Sequence, residues 1–176
     1  MLVNCAGIAD GLTSTVEQDT SSWRRIIDVN LTGTYLMFRA VGAYMLDRQS
    51  GSIINIFSIV GLGGFPRRNG YGASKAGVIM LTYSLACEWG GEGVRVNCIA
   101  PGYVRTLLLE MAISSGKVDR DCIQRRTLLE RMGYLEEVAH AVTYLVSDWS
   151  SYITGVTLPV DGGWSAFSGA GDVAFA

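Results

Sequence analysis

Short apolar runs alternate with longer segments of helical periodicity along most of this chain. Runs that are rich in β-branched residues and end in small or turn-forming residues are typical of buried strands. The sequence predicts four of them, at residues 1–4, 51–57, 94–100 and 154–163.

Apolar positions between these runs recur at helical spacing. Helices are predicted at residues 23–46, 71–89 and 136–147, the second one stopping at a Gly-Gly pair. The first has apolar positions on more than one face, so we expect it to be buried on several sides. The strand-like runs and the helical segments therefore alternate along the chain.

Composition and charge limit the classes of partner. At 176 residues the chain is long enough for a single domain, 1–176, with a sizeable core. Its net charge of −2 leaves no electrostatic footprint for nucleic acid or an anionic membrane, and we expect neither as a partner. No apolar run reaches the roughly 20 residues of a membrane span, and no basic region precedes an apolar stretch at the N-terminus. A cytoplasmic location is the expectation.

The cysteines and the single histidine do not form a metal-binding pattern. The cysteines lack C-x2-C spacing and lie mostly in apolar runs, so we expect reduced core thiols at Cys5, Cys87, Cys98 and Cys122. His140 lies in a segment of helical period, where a packed or surface histidine is expected. No metal site is predicted, and Ser-His chemistry lacks its usual base.

Residues 58–75 carry the clearest candidate chemistry. Tyr71 and Lys75 stand four apart, so on a helix they share one face. An ammonium beside a phenol favours the phenolate and lowers its pKa, as in a general acid or base. Ser58 follows a predicted strand, and strand ends hold ligands in α/β sheets. For the tyrosine and lysine alone, the alternative is a solvated helix face.

The pattern Ser58-x12-Tyr71-x3-Lys75 resembles the active site of the short-chain dehydrogenase/reductase family, with 3-oxoacyl-carrier-protein reductases as the nearest subgroup. The resemblance implies an α/β fold with a doubly wound, Rossmann-type parallel sheet. It also implies hydride transfer between NAD or NADP and a small carbonyl or alcohol substrate. By resemblance, Tyr71 transfers the proton, Lys75 lowers its pKa and holds the ribose, and Ser58 hydrogen-bonds the substrate oxygen.

A helix asparagine extends the resemblance. Asn30, in the segment D-V-N-L-T-G, is similar to the family's asparagine, whose backbone carbonyl and side chain hold a water in the proton path. Asn30 and Gly33 are both poor helix formers, and such local conflicts are expected at functional sites. The alternative is a tolerated asparagine in a long helix.

Two turns resemble the family's cofactor-binding segments. The run N-C-A-G at residues 4–7 is similar to the N-N-A-G signature, and R-V-N-C-I-A-P-G at residues 95–102 is similar to a second one. In relatives the first turn touches the ribose side of the cofactor, and the second receives the nicotinamide carboxamide. The resemblance implies that the cofactor-binding positions are Asn4, Ala6, Gly7, Tyr71, Lys75, Pro101, Gly102, Val104 and Thr106.

Residues 104–133 mix apolar and charged residues without one clean period. We expect them to form a lid that sets substrate specificity. The L-L-L run at 107–109 departs from the small-plus-proline pattern common in the family. The arginines of the segment are expected on a solvated face; steering of an anionic substrate is the alternative.

A glycine-rich turn opening a helix, which holds the pyrophosphate in nucleotide-binding members, does not precede these motifs. The run G-L-G-G at 61–64 is no substitute, because it lies between Ser58 and Tyr71 and no helix start follows it at once. We therefore expect the C-terminal part of a doubly wound sheet whose N-terminal strands are missing from this truncated sequence. Residues 2–4 would then form an exposed edge.

Two functions remain open. One is an NAD(P)-dependent oxidoreductase that forms a homo-oligomer. The other is a non-catalytic remnant or association module, which keeps the two long helices that relatives use to pair subunits. A serine hydrolase is disfavoured because G-A-S-K-A at 72–76 lacks the last glycine of G-x-S-x-G and His140 sits in a helix.

Overall fold

Four parallel strands form one sheet in a computed structural model that describes residues 1–169 and 172–173. The strands are adjacent in chain order and span Leu2–Asn4 (β1), Gly51–Ile56 (β2), Val94–Pro101 (β3) and Thr157–Val160 (β4). The parallel sheet predicted from the sequence is confirmed. The last strand is shorter than predicted because Gly155 turns the chain at φ +70° and Val156 N–H donates to the Asn97 side chain.

Helices connect the strands on both faces of the sheet. They span Thr20–Ile27 (α1), Gly33–Asp47 (α2), Asn69–Trp89 (α3), Leu107–Ser114 (α4), Arg120–Arg126 (α5) and Leu135–Val146 (α6). A single π turn at Asp28–Thr32 joins α1 to α2. The helix predicted over 23–46 is therefore one run with a π turn at the position where the sequence breaks helix rules.

The core has two halves because successive strand residues point to opposite faces. Ile53 packs with Phe38 of α2 and Trp89 of α3 on one face. Ile54, the next residue, packs with Leu145 of α6 on the other face. The fold therefore has three layers, with the sheet in the middle.

Helix α2 is buried along one side only. Its buried positions recur at helical spacing: Thr34, Phe38, Gly42 and Met45. A Cβ at Gly42 would lie 2.5 Å from the Trp89 ring, so the glycine lets α2 and α3 approach closely. The prediction that this helix is buried on several sides is wrong for the single chain, because large apolar residues of its outer face are exposed: Tyr35, Leu36, Met37 and Tyr44.

The cysteines also differ from the prediction. All four are free thiols, but only Cys98 is buried. The prediction of core thiols is wrong for Cys5, Cys87 and Cys122, because short apolar runs include residues that face solvent. Within residues 1–169 and 172–173, no group of three or more His, Cys, Asp or Glu side chains is arranged to hold a metal ion.

Among the residues that the structure describes, none of the helices is long and apolar enough to cross a membrane.

Candidate active site

The candidate site lies at the carboxyl edge of the sheet. Asn4 ends β1 and pairs in register with Asn55 near the end of β2, and Asn55 pairs with Cys98 in β3. The segments that follow these strands therefore leave the sheet side by side. This edge is where ligands bind in open α/β sheets.

Tyr71 and Lys75 lie on one face of α3, close to its N-terminus. The Lys75 ammonium is 5.5 Å from the centroid of the Tyr71 ring. Lys75 is only 5% exposed and donates a hydrogen bond of 3.1 Å to the carbonyl oxygen of Ile56 at the end of β2. The predicted proximity of phenol and ammonium is confirmed.

The proton affinities of this pair depend mainly on burial. Burial raises the pKa of Tyr71 above its usual value, while a hydrogen bond with Ser58 and the charge of Arg68 act in the opposite direction. Burial also lowers the pKa of Lys75. The net shift of the Tyr71 pKa is opposite to the lowering that the sequence predicts. The reason is that desolvation of the phenol outweighs the charges around it.

Ser58 lies where β2 ends and is brought to Tyr71. Its backbone is extended, and its hydroxyl oxygen accepts a hydrogen bond of 3.2 Å from Val60 N–H at the start of a short 3-10 turn, Ile59–Gly61. That bond orients the hydroxyl, and the 3-10 turn packs on the first turns of α3, where a Cβ at Gly61 would lie 2.9 Å from the Ala76 backbone nitrogen. The structure thus brings together three of the four predicted catalytic residues at one end of α3.

Asn30, the fourth, lies in the π turn and is 1% exposed. Its amide nitrogen donates to the Ile8 carbonyl at 2.9 Å and to the Ser74 hydroxyl at 3.0 Å, and its side-chain oxygen accepts from Ile8 N–H at 2.8 Å. Both amide hydrogens are therefore committed to the protein. Its backbone carbonyl accepts from the Thr34 hydroxyl at 2.7 Å, and a carbonyl oxygen has two lone pairs. Of the predicted water contacts, the carbonyl is the better placed.

The turn after β1 packs directly against this site. A Cβ at Gly7 would lie 3.3 Å from the Asn30 side-chain oxygen and 3.4 Å from the Lys75 ammonium nitrogen. The glycine therefore leaves the backbone close to both groups. The Asn4 amide, predicted to bind cofactor, donates to the Asn55 side-chain oxygen at 2.9 Å and so ties β1 to β2.

The second predicted cofactor turn follows β3. Gly102 N–H donates to the Val160 carbonyl, and a Cβ at Gly102 would lie 2.8 Å from Asp161. Val104 forms a parallel bridge with Gly133 through the Tyr103 carbonyl and the Arg105 N–H, so the N–H of Val104 points away from that bridge. This leaves the Val104 N–H free of the pairing, as its predicted ligand contact requires.

Thr106 is the N-cap residue of α4 in this structure. Its hydroxyl accepts a hydrogen bond of 3.2 Å from Leu109 N–H and caps α4. The L-L-L run that departs from the family pattern therefore begins a helix directly after the cap. Leu107, Leu108 and Met111 are exposed on α4.

The arginines of the segment 104–133 are engaged by the protein. Arg120 pairs with Glu110, and Arg125 pairs with Asp172. Arg131 forms a two-pronged ion pair with Glu137. These three form exposed ion pairs, which contribute little to stability singly, whereas Arg126 donates to the Trp164 and Phe167 carbonyls.

Asp10 is a residue at this site that the sequence does not reveal. It is 7% exposed, and its carboxylate accepts a hydrogen bond of 2.9 Å from Tyr71 N–H. The two residues are 61 positions apart, and Asp10 lies in an aperiodic polar segment. Local spacing rules therefore have no means of pairing them.

A three-layer α/β fold with serine, tyrosine and lysine at the carboxyl edge of a parallel sheet defines a Rossmann-type class of protein. The family model described as enoyl-(acyl carrier protein) reductase matches residues 1–165. The chain belongs to the short-chain dehydrogenase/reductase family.

Known relatives agree on this fold and differ in their described reactions. The chain is 40% identical over 164 residues to the 3-oxoacyl-[acyl-carrier-protein] reductase FabG of Thermotoga maritima, covering 93% of this chain and 65% of the relative. A putative 2-deoxy-D-gluconate 3-dehydrogenase from Agrobacterium tumefaciens, crystallised with NADP, has a TM-score of 0.89 and 36% identity, covering 94% of this chain and 68% of that one. A Brucella melitensis structure described as ribose-5-phosphate isomerase has a TM-score of 0.90 and 40% identity, covering 95% and 65%.

The chain spans 30 to 66% of the length of the first curated relatives it matches. One fold hosts many reactions, so the reaction has to be argued from the site itself.

Proposed function

We propose that this chain carries the reaction centre of an NAD(P)-dependent oxidoreductase that interconverts a small carbonyl compound and its alcohol. The observation that carries the proposal is the buried Lys75 ammonium 5.5 Å from the centroid of the Tyr71 ring, at the end of α3 against which the turn after Ser58 packs. A phenol in this setting suits proton exchange with a substrate oxygen. The bound NADP of the Agrobacterium relative supports the choice of cofactor.

In this proposal Tyr71 transfers the proton and the Ser58 hydroxyl hydrogen-bonds the same substrate oxygen. In the carbonyl-reducing direction the phenol donates its proton to that oxygen. Asn30 offers its backbone carbonyl to a water in the proton path. Reductases of 3-oxoacyl carrier proteins are the subgroup that supports this direction.

The chain's residues fit the nicotinamide half of a dinucleotide. The Lys75 ammonium has more N–H donors than its single bond to Ile56 uses, and it lies beside the side-chain-free surface of Gly7. We assign the ribose to Lys75, Tyr71 and the first turn, and the carboxamide to the backbone after Pro101 and Gly102. When bound, NAD(P) supplies or accepts the hydride. The further cofactor-binding residues we propose are Asn4, Ala6, Gly7, Val104 and Thr106.

Replacement of the phenol tests the proposal. Tyr71→Phe removes one hydroxyl and should lower carbonyl-dependent oxidation of NADPH or NADH by about 100- to 10,000-fold, the range of general acid-base groups. Tyr83→Phe, on the outer side of the same helix, is the matched control and should keep wild-type turnover. Circular dichroism checks that both variants fold. Activity of Tyr71→Phe within about tenfold of wild type would refute the assignment.

An association module is the second candidate. It is favoured by the large apolar side chains that α2 and α3 expose, including Leu36, Met80 and Tyr83. In this case the chain pairs with a second copy but has no turnover. Sedimentation analysis should then show an oligomer that Met80→Glu dissociates and that Lys117→Glu, an exposed residue outside α2 and α3, does not. Carbonyl-dependent turnover of the wild-type protein would exclude a purely associative role.

A further inference from the structure

A buried carboxylate that is not among the predicted catalytic residues binds the start of α3. Asp10 belongs to the loop between β1 and α1, and one of its carboxylate oxygens accepts from Tyr71 N–H at 2.9 Å. The other accepts from the Gln18 side-chain amide at 3.0 Å. The carboxylate is therefore fixed from both sides, with its charge directed at the first turn of α3.

The N-terminus of α3 has no cap of its own. Arg68 stands at the N-cap position and makes no side-chain capping hydrogen bond. The first N–H groups of any helix have no partner within the helix, and a carboxylate is the strongest acceptor for them. Asp10 thus supplies from a distant part of the chain what the local sequence of α3 lacks.

Two further contacts lock Asp10 onto this turn. The Arg68 guanidinium donates to the Asp10 backbone carbonyl at 3.1 Å. A Cβ at Gly70 would lie 3.0 Å from the Asp10 carboxylate and 2.9 Å from the Trp23 ring. Two residues that precede Tyr71 therefore fit against Asp10, Arg68 through a hydrogen bond and Gly70 through the absence of a side chain.

We propose that Asp10 is a positioning residue that sets the first turn of α3 and thereby aligns the Tyr71 hydroxyl with Ser58. The inference rests on the proposed role of Tyr71. A carboxylate bound to the backbone N–H of the proton donor restricts the rotation and fraying of that turn. A displacement of about 1 Å at a reacting group can lower turnover about 100-fold, so small movements of this turn matter.

The test compares Asp10→Ala with Asp10→Asn. The asparagine keeps an oxygen that accepts from Tyr71 N–H, whereas the alanine removes it. In Asp10→Ala, hydrogen exchange of the Tyr71 amide, followed by NMR, should become about fivefold faster or more, as for loss of a typical helix cap. Turnover should fall about tenfold or more while the KM for dinucleotide changes much less, because Lys75 and the first turn still hold the ribose when Tyr71 moves. Asp10→Asn should recover most of both.

Asp19→Ala is the matched control. Asp19 lies at the end of the same loop and caps α1 through Ser21 and Ser22 N–H, away from Tyr71. This variant should speed exchange in α1 and leave Tyr71 exchange and turnover as in wild type.

Each outcome decides a different claim. Unchanged Tyr71 exchange in Asp10→Ala would overturn the inference. Faster exchange with unchanged turnover would also overturn it. So would a loss of turnover accompanied by an equally large rise in the KM for dinucleotide. If wild type shows no turnover but exchange responds as expected, the proposed function fails and the capping of α3 by Asp10 stands.

Discussion

At the residue scale, opposing effects act on the pKa of Tyr71. Burial raises its pKa, whereas the hydrogen bond with Ser58 and the charge of Arg68 lower it. Lys75 is buried as well and uses part of its donor capacity on the Ile56 carbonyl. The pair is therefore a desolvated phenol beside a buried ammonium that has further N–H donors for a ligand.

Removal of the Ser58 hydroxyl isolates its effect on the Tyr71 pKa from that of burial. In Ser58→Ala the hydrogen bond that favours the phenolate is lost, so the Tyr71 pKa should rise further above its usual value. NMR titration of ring-labelled tyrosine, assigned with Tyr71→Phe, measures this directly. Ser84→Ala on the exposed side of α3 is the control and should leave the titration unchanged. A Tyr71 pKa that falls in Ser58→Ala would contradict the described geometry.

At the element scale, the start of α3 and the π turn depend on partners outside the helix, whereas Asp19 and Thr106 cap α1 and α4 locally. Asp10 serves α3, and the Asn30 side chain joins the π turn to Ile8 and Ser74. Helix α6 instead uses its own first turn, where Glu137 accepts from Tyr134 N–H at 2.8 Å and pairs with Arg131. These contacts lower the Glu137 pKa from 4.5 to about 2, with the Arg131 hydrogen bond as the largest cause.

The pH dependence of the free energy of unfolding should reveal the contribution of the Glu137 contacts to stability. Its folded-state pKa lies below its unfolded value, so the ionised carboxylate stabilises the fold above about pH 4.5, and this contribution is lost as the pH falls toward 2. Urea unfolding should show Glu137→Gln less stable than wild type at pH 7, with the two converging near pH 2. Glu136→Gln, its exposed neighbour, should follow wild type. An equal deficit at both pH values would show that the ion pair and cap are not responsible.

At the scale of the whole molecule, the sequence predicted those features that depend on residues close together in the chain. The apolar runs of β2 and β3, and the four-residue spacing of Tyr71 and Lys75, are local signals. Asp10 could not be predicted because its partner lies 61 positions away. The outer face of α2 was wrongly assigned as buried because an apolar pattern marks surfaces that avoid water without indicating what covers them.

Within the candidate site, too, local features could be predicted from the sequence and features that depend on packing could not. The residues that meet could be placed from motifs, but the direction of the Tyr71 pKa shift could not, because desolvation depends on the packed environment of the phenol. The commitment of the Asn30 amide to Ile8 and Ser74 was likewise visible only in three dimensions.

A double-mutant cycle on turnover tests the central claim most directly, namely that Tyr71 and Ser58 act as one unit on one substrate oxygen. Rates of carbonyl reduction are measured for wild type, Ser58→Ala, Tyr71→Phe and the double variant. Residues that act together show strongly non-additive losses. The double variant should therefore be no slower than Tyr71→Phe alone, within about threefold. Losses that multiply across the two positions would mean that the two hydroxyls act independently, and would contradict the proposed site.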